Sequence, residues 1–349
     1  MNAKNWKLMN EQELTALFRV LGADHPNARA RTLIAKGIAE LPRDLFVMLA
    51  ARAVIRPHEC DWLTEEYPSK PDGPGGAFQP AVDRLVTTGA PVADLTMIVG
   101  LMQMALVVEL CGLLDAPGEL EPEVSDIRWR LFLCDQNGAP QAPIAGLAEI
   151  LSADDSTEAA EAQPSEQGEV RSPAPSTGGW PSMNEQELTE LFRKLGAEDP
   201  EGWARSQIRE RIPQLFRYLF LRQAWSKVIR PDDRDWMTET FGEETEGEDD
   251  FAQAIDRVLA TGARADDLTT IVRIAQWHVL FSFCTLLDGI LLYRVKGRSV
   301  SLRELTGFRW RLYQVDENDV PQAAIDYLHE SALSMDPTGL EMCPPQPAP

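Results

Sequence analysis

Two short stretches of the chain carry residue types from which a recognition site can be built. "VIRPHECDW", beginning at Val54, supplies Arg56, Asp61 and Trp62, and "VIRPDDRDW", beginning at Val228, supplies Arg230, Asp235 and Trp236 at the same spacing. A guanidinium presents a rigid fork of donors, a carboxylate accepts such donors, and an indole offers a flat face to a cation or a ring. Together they suit a binding patch, repeated once. A structural reading competes and is the more economical. Pro57 and Pro231 suit the first position of a helix, Glu59, Asp232 and Asp233 favour its positive end, and the two tryptophans become core anchors.

A second pair of stretches alternates. In "RWRLFLCD", Arg128, Arg130 and Phe132 fall on one strand face, with Trp129, Leu131 and Leu133 on the other. "RWRLYQVD" repeats the pattern, setting Arg309, Arg311 and Tyr313 opposite Trp310 and Leu312. An arginine and aromatic stripe can hold a phosphate or stack on a base. In an acidic protein the simpler expectation is that these arginines pair with the protein's own carboxylates.

Other candidates are weaker. "GEETEGEDDF", from Gly242, lacks the spaced ligands and placed glycine of an EF-hand loop, and reads as a solvated loop. His58 and His329 each precede a glutamate, with no second histidine at the spacing of a zinc protease. His278 sits in an apolar stretch and reads as a core histidine. Glu109 interrupts another and is expected to pair with an arginine or to reach solvent. Five cysteines show no metal-ligand spacing, and Cys111 and Cys284 read as small core residues. None of the familiar nucleophile, phosphate-loop or dinucleotide signatures occurs. No catalytic residue, metal or cofactor is therefore assigned, and the reading leans away from an enzyme.

What must position these residues is a repeat. "MNEQELTALFR" at Met9 returns as "MNEQELTELFR" at Met183, and the correspondence runs unbroken to Tyr67 and Phe241 with roughly half the positions identical. It resumes at "VDRLVTTGAPVADLT" and "IDRVLATGARADDLT", from Val82 and Ile255. After an insertion in the second half, "GILLYRVKGRSVSLREL", it closes on the two arginine strands. The pattern predicts a mainly α protein, a tandem duplication of a helical-bundle domain in which each copy ends in a small β-hairpin. The expected divisions are copy one over 9–150, an acidic Pro/Ser/Ala-rich disordered linker over 151–182, copy two over 183–335, and a Pro-rich disordered tail over 336–349.

Local signals fill in the helices. Asn10 with Glu13, and Asn184 with Glu187, form capping boxes, and Gly22 and Gly196 end those helices. Second helices are expected near Asn27–Lys36 and Glu201–Arg211, and Pro213 opens a third that runs to the "RP" corner. Another is expected near Ala81–Thr88. Then come two long apolar runs from Leu95 and Leu268. Either has the length of a membrane span, but the second carries Arg273, Gln276 and His278, so both are read as buried central helices.

Composition bounds the function. At 349 residues, with 44% hydrophobic and 25% charged residues, the chain has the make-up of a folded protein of two domains. A net charge of −22, spread over both halves, opposes binding to nucleic-acid phosphates and favours a basic partner. No apolar leader opens the chain, so a cytoplasmic location is expected, without membrane association. The expected function is an acidic interaction module with a protein partner, for instance an immunity- or antitoxin-like neutraliser of a basic protein. The alternative is an enzyme or small-ligand-binding protein with a polar pocket within or between the repeats.

Overall fold

The computed structural model describes residues 6–56, 61–63, 73–152, 183–238, 248–295 and 297–343. Residues 153–182 of the expected linker and most of the acidic loop from Gly242 lie outside them, whereas 151 and 152 end a helix.

The chain is mainly helical. Its first half gives α1 (Glu11–Val20), α2 (Pro26–Lys36), α3 (Leu41–Ala50), α4 (Phe78–Thr87), the long α5 (Val92–Asp115), β1 (Arg128–Cys134), β2 (Pro140–Ile144) and α6 (Leu147–Ser152). In the second half follow α7 (Glu185–Lys194), α8 (Pro200–Glu210), α9 (Gln214–Trp225), α10 (Glu248–Ala260) and the long α11 (Ala265–Leu287). The remainder is β3 (Leu292–Val295), β4 (Arg298–Ser301), α12 (Leu302–Thr306), β5 (Arg309–Val315), β6 (Pro321–Ile325) and α13 (Leu328–Ala332).

Helices α1 and α7 begin where their capping boxes dictate. The Asn10 side chain accepts the Glu13 amide at 3.0 Å, and the Glu13 carboxylate accepts the Asn10 amide; Asn184 and Glu187 repeat the exchange. Helix α9 stops at Trp225, short of the expected "RP" corner. The amide of Ile229, which a longer helix would use, instead donates to the Gln276 side chain at 2.9 Å.

The chain divides into two compact units, each drawing on both halves of the sequence. The first comprises Met1–Leu49, Cys111–Leu221 and Cys284–Leu328; the second comprises Ala50–Leu110, Arg222–Phe283 and His329–Pro349. Repeat boundaries and unit boundaries are therefore different partitions of the chain.

In the first unit the strands form one antiparallel sheet of order β2-β1-β5-β6. Strands β1 and β5 pair with Leu131 opposite Leu312 and Trp129 opposite Gln314. Trp129 packs edge-on against Phe220, and Trp310 packs edge-on against Phe46, so each strand's tryptophan lies on the third helix of the other repeat. The opposite sheet face buries a small cluster of Phe132, Cys134, Tyr313 and Val315. Beside this sheet, the insertion of the second repeat folds into the β3–β4 hairpin and α12.

In the second unit the polar contacts come in matched pairs. Gln103 donates to the Ala275 carbonyl at 3.1 Å, and Gln276 donates to the Met102 carbonyl at 3.2 Å. Their side-chain oxygens accept the amides of Ile55 and Ile229, at 2.8 and 2.9 Å. Arg84 binds Asp267, and Arg257 binds Asp94. Thr88 and Thr261 share a hydrogen bond of 3.1 Å.

One matched position diverges. A Cβ on Gly100 would meet the Ile55 carbonyl oxygen at 2.7 Å, so the helix there lies against that chain segment. Its counterpart Arg273 spans the equivalent space, donating to the Ile229 carbonyl and to Asp336 at 2.5 and 2.6 Å, with its guanidinium over Trp225. Asp336 also accepts the amides of Thr338 and Met342. The tail expected to be disordered from 336 is thus held as far as Cys343, because a buried carboxylate organises it; 344–349 lie outside the described residues.

Substituting Gln103 with leucine leaves the Ile55 amide and the Ala275 carbonyl without their partner in a buried setting. The expected loss is about 2–4 kcal/mol in urea unfolding. Gln276→Leu should cost a similar amount, and a variant of either kind as stable as the parent would contradict the bridging role.

Candidate functional site

The recognition residues expected from the sequence all lie in the second unit and separate by burial. Trp62 and Trp236 are buried, and their indole N–H groups donate to Thr96 and Thr269 at 3.0 and 3.3 Å. Both are therefore core anchors. Arg56, Asp61, Arg230 and Asp235 are exposed above them. Arg230 pairs with Asp232 at 3.4 Å, with both side chains about three-quarters in solvent, an arrangement worth little to stability.

At the second corner Pro231 opens a turn and not the expected helix, while residues 57–60 of the first corner lie outside the described residues. Asp61–Leu63 and Asp235–Met237 are single 3-10 turns. In the second repeat the Asp233 carboxylate accepts the Asp235 amide, and Arg234 donates to the carbonyls of Pro231 and Asp233. Such side-chain bonds to nearby backbone compete with helix formation and hold a turn instead. Arg234 also binds Asp266, whose carboxyl is held below its usual range by that bond and by Arg264.

The other candidates are placed as follows. Glu109 reaches solvent and pairs with Lys227 at 2.7 Å. Burial pushes the Cys111 thiol up to about 12 and the Cys284 thiol well above its usual value, so neither is a ready nucleophile at neutral pH. His278 is largely buried beside Trp277, and desolvation lowers its pKa to about 4. Among the described residues no cluster of His, Cys, Asp and Glu is arranged to hold a metal ion.

Two arginines of the strand stripe, Arg130 and Arg311, meet the protein's own groups. Arg130 binds Asp319 and the Asp115 carbonyl, and Arg311 binds Asp326 through two bonds. Phe132 and Tyr313, the aromatic members, stack edge-to-face in the buried cluster, with the Tyr313 hydroxyl donating to the Gly138 carbonyl at 3.0 Å. They present no open face for a base.

Helices α5 and α11 are long and apolar enough to cross a membrane by length and composition. Yet 61% and 67% of their most apolar windows are buried within the protein, and the reciprocal glutamine bonds lie on them.

Two cavities lie at matching places in the first unit, where each long helix ends beside the Arg-Trp of a strand. The larger, about 350 Å³, borders Leu286, Tyr293, Leu302, Arg303, Arg309 and Trp310. The smaller, about 260 Å³, borders Asp115, Arg128, Trp129 and Arg130. Sequence reading missed the larger one, although the insertion that walls it is visible as a break in the repeat. Comparison with known protein families, with curated proteins and with solved structures gives no match.

Two outcomes follow from this geometry. Trp236→Ala should lose about 3–5 kcal/mol of unfolding free energy, whereas Arg230→Ala should change it by no more than about 0.5 kcal/mol. Because the folded-state pKa of His278 lies below its unfolded value, the unfolded chain takes up the proton first as pH falls. Stability is therefore lost between about pH 6.5 and pH 4. His278→Leu should remove about 2 kcal/mol from the stability difference between pH 7 and pH 5, measured by denaturant unfolding.

Proposed function

We propose that this chain is a tandem duplication of one helical domain and that its acidic surface binds a basic protein partner in the cytoplasm. An immunity- or antitoxin-like neutraliser of a basic protein is the concrete form that fits best. The observation that carries the reading is where the cations go. Arg29, Arg84, Arg193, Arg257, Arg273 and Arg311 each pair with a carboxylate of the protein itself. With basic groups so engaged, the excess of 22 negative charges is left to set the outward field.

Further support comes from the matched pairs of the second unit, which join like residues of like repeats. The exposed Arg56 and Asp61, with Arg230 and Asp235, are assigned to partner recognition, each pair beside a buried tryptophan in the sequence. Buried, unpaired thiols at Cys111, Cys134 and Cys284 accord with a reducing compartment. The alternative, a small-ligand-binding protein, has support of its own in the larger cavity of the second repeat.

The decisive experiment captures the partner from the native lysate at low salt and releases it at high salt. The expected result is one stoichiometric basic protein whose affinity, re-measured with purified components, weakens as salt rises and falls in an Arg230→Ala/Asp235→Ala variant. A partner held equally tightly at high salt, or an empty bait at low salt, overturns the proposal.

A further inference from the structure

The strand tryptophans of the first unit each belong to a row of packed side chains, and the two rows match except at one end. In one row Trp6 packs edge-on against Phe308 with ring centres 5.4 Å apart, Phe308 against Trp310 at 5.7 Å, and Trp310 against Phe46 at 5.2 Å. The residues of the other repeat that correspond to the last three are Ile127, Trp129 and Phe220. Trp129 meets Phe220 at 5.7 Å in the same edge-on manner. Three members of the second row are thus in place. The fourth, the counterpart of Trp6 over Ile127, is not among the described residues.

The cavities follow this difference. Phe308 is 1% exposed beside Trp6 and does not border the larger cavity. Ile127 does border the smaller one, where it joins Leu120, Arg128 and Trp129. At about 260 Å³, that cavity falls below the range of about 300–1,000 Å³ typical of small-molecule sites. Leu120, Ile127 and Trp129 give it an apolar wall suited to one large side chain.

The sequence supplies the missing member. Trp6 stands three residues before Met9 and Trp180 three residues before Met183, so the likeness of the two halves begins at a tryptophan. At Trp6 the chain makes a single 3-10 turn, Trp6–Leu8, and the Met9 amide donates to the Trp6 carbonyl at 3.1 Å. Pro181 and Ser182 take the places of Lys7 and Leu8. Proline fixes a φ of about −65°, which such a turn accepts, and Leu8 is 77% exposed, so a serine there removes little packing. Three residues span at most about 11 Å, so Trp180 is tethered to the start of α7 as Trp6 is to the start of α1.

We infer that the smaller cavity is the docking site of the chain's own Trp180, whose indole packs on Ile127 as that of Trp6 packs on Phe308. Leu120 and Trp129 flank the ring. Arg128, exposed at the rim, offers it a cation, as Lys7 does 5.6 Å from the centre of the Trp6 ring. The second repeat then begins at Trp180, inside the segment expected as linker. The inference rests on the duplication proposed above and is independent of the basic partner.

The full-length chain is labelled with fluorotryptophan, and the signals of Trp180 and Trp6 are assigned by Trp180→Phe and Trp6→Phe. In fluorine NMR both signals should be displaced from their positions in urea. Ile127→Val and Arg128→Ala, two mild changes to the cavity, should move the Trp180 signal and leave that of Trp6 in place. Dilution should alter neither. In urea unfolding Trp180→Ala should lower the midpoint about as much as Trp6→Ala. A Trp180 signal at its urea position, a signal indifferent to both cavity variants, or an unchanged midpoint for Trp180→Ala overturns the inference and leaves the duplication standing. A displacement lost on dilution assigns the indole to a second copy and overturns it equally. If Trp6→Ala were silent as well, the correspondence of the two rows would itself fail.

Discussion

Gln103 and Gln276 each commit a whole side-chain amide to backbone groups that no neighbouring helix supplies. The oxygen takes the amide of a chain segment leaving the third helix of the same repeat, and the nitrogen donates to the long helix of the other. Both residues are almost fully buried, so neither bond can be traded for water. The choice of glutamine follows from this geometry. Leucine would fit an apolar helix but leave two buried groups unmatched, and a carboxylate could accept but not donate.

Around that pair the second unit is organised by exchange. Arg84 crosses to Asp267 while Arg257 crosses to Asp94, and the two threonines meet directly. The first unit uses the sheet for the same purpose, with β1 against β5 and each tryptophan under the other repeat's third helix. Divergence is tolerated where it does not touch these exchanges. Gly100 and Arg273 differ completely in size and charge, yet each satisfies its own surroundings, one by close approach and one by a buried ion pair to Asp336. The second repeat used that freedom to anchor its tail and to add an inserted hairpin.

Much of this was legible in the sequence, and the exceptions have a common cause. Capping boxes, the long apolar runs and the alternating arginine strands are local signals, and each marked an element within a few residues of its observed limits. The burial of Trp62 and Trp236 was also readable, from their recurrence at one spacing. Pairing of β1 with β5 was not, since either strand alone looks like half of a local hairpin and nothing in "RWRLFL" names its second neighbour. The partners of Arg84 and Arg257 were hidden for the same reason. The 3-10 turn at the second corner follows side-chain bonds of Asp233 and Arg234, where a proline and a run of acids suggest a helix start equally well.

Reciprocity between the halves also sets an order in time. The carbonyl that receives Gln103 lies 172 residues further along the chain. At ordinary rates of synthesis it is made on the order of ten to thirty seconds later. Throughout that interval α5, one of the most apolar segments of the protein, has emerged without the helix it binds. A nascent chain in this state exposes surface on which chaperones act and at which aggregation begins. The acidity of the first half then has a use before any partner is met, since like-charged nascent chains repel one another while they wait.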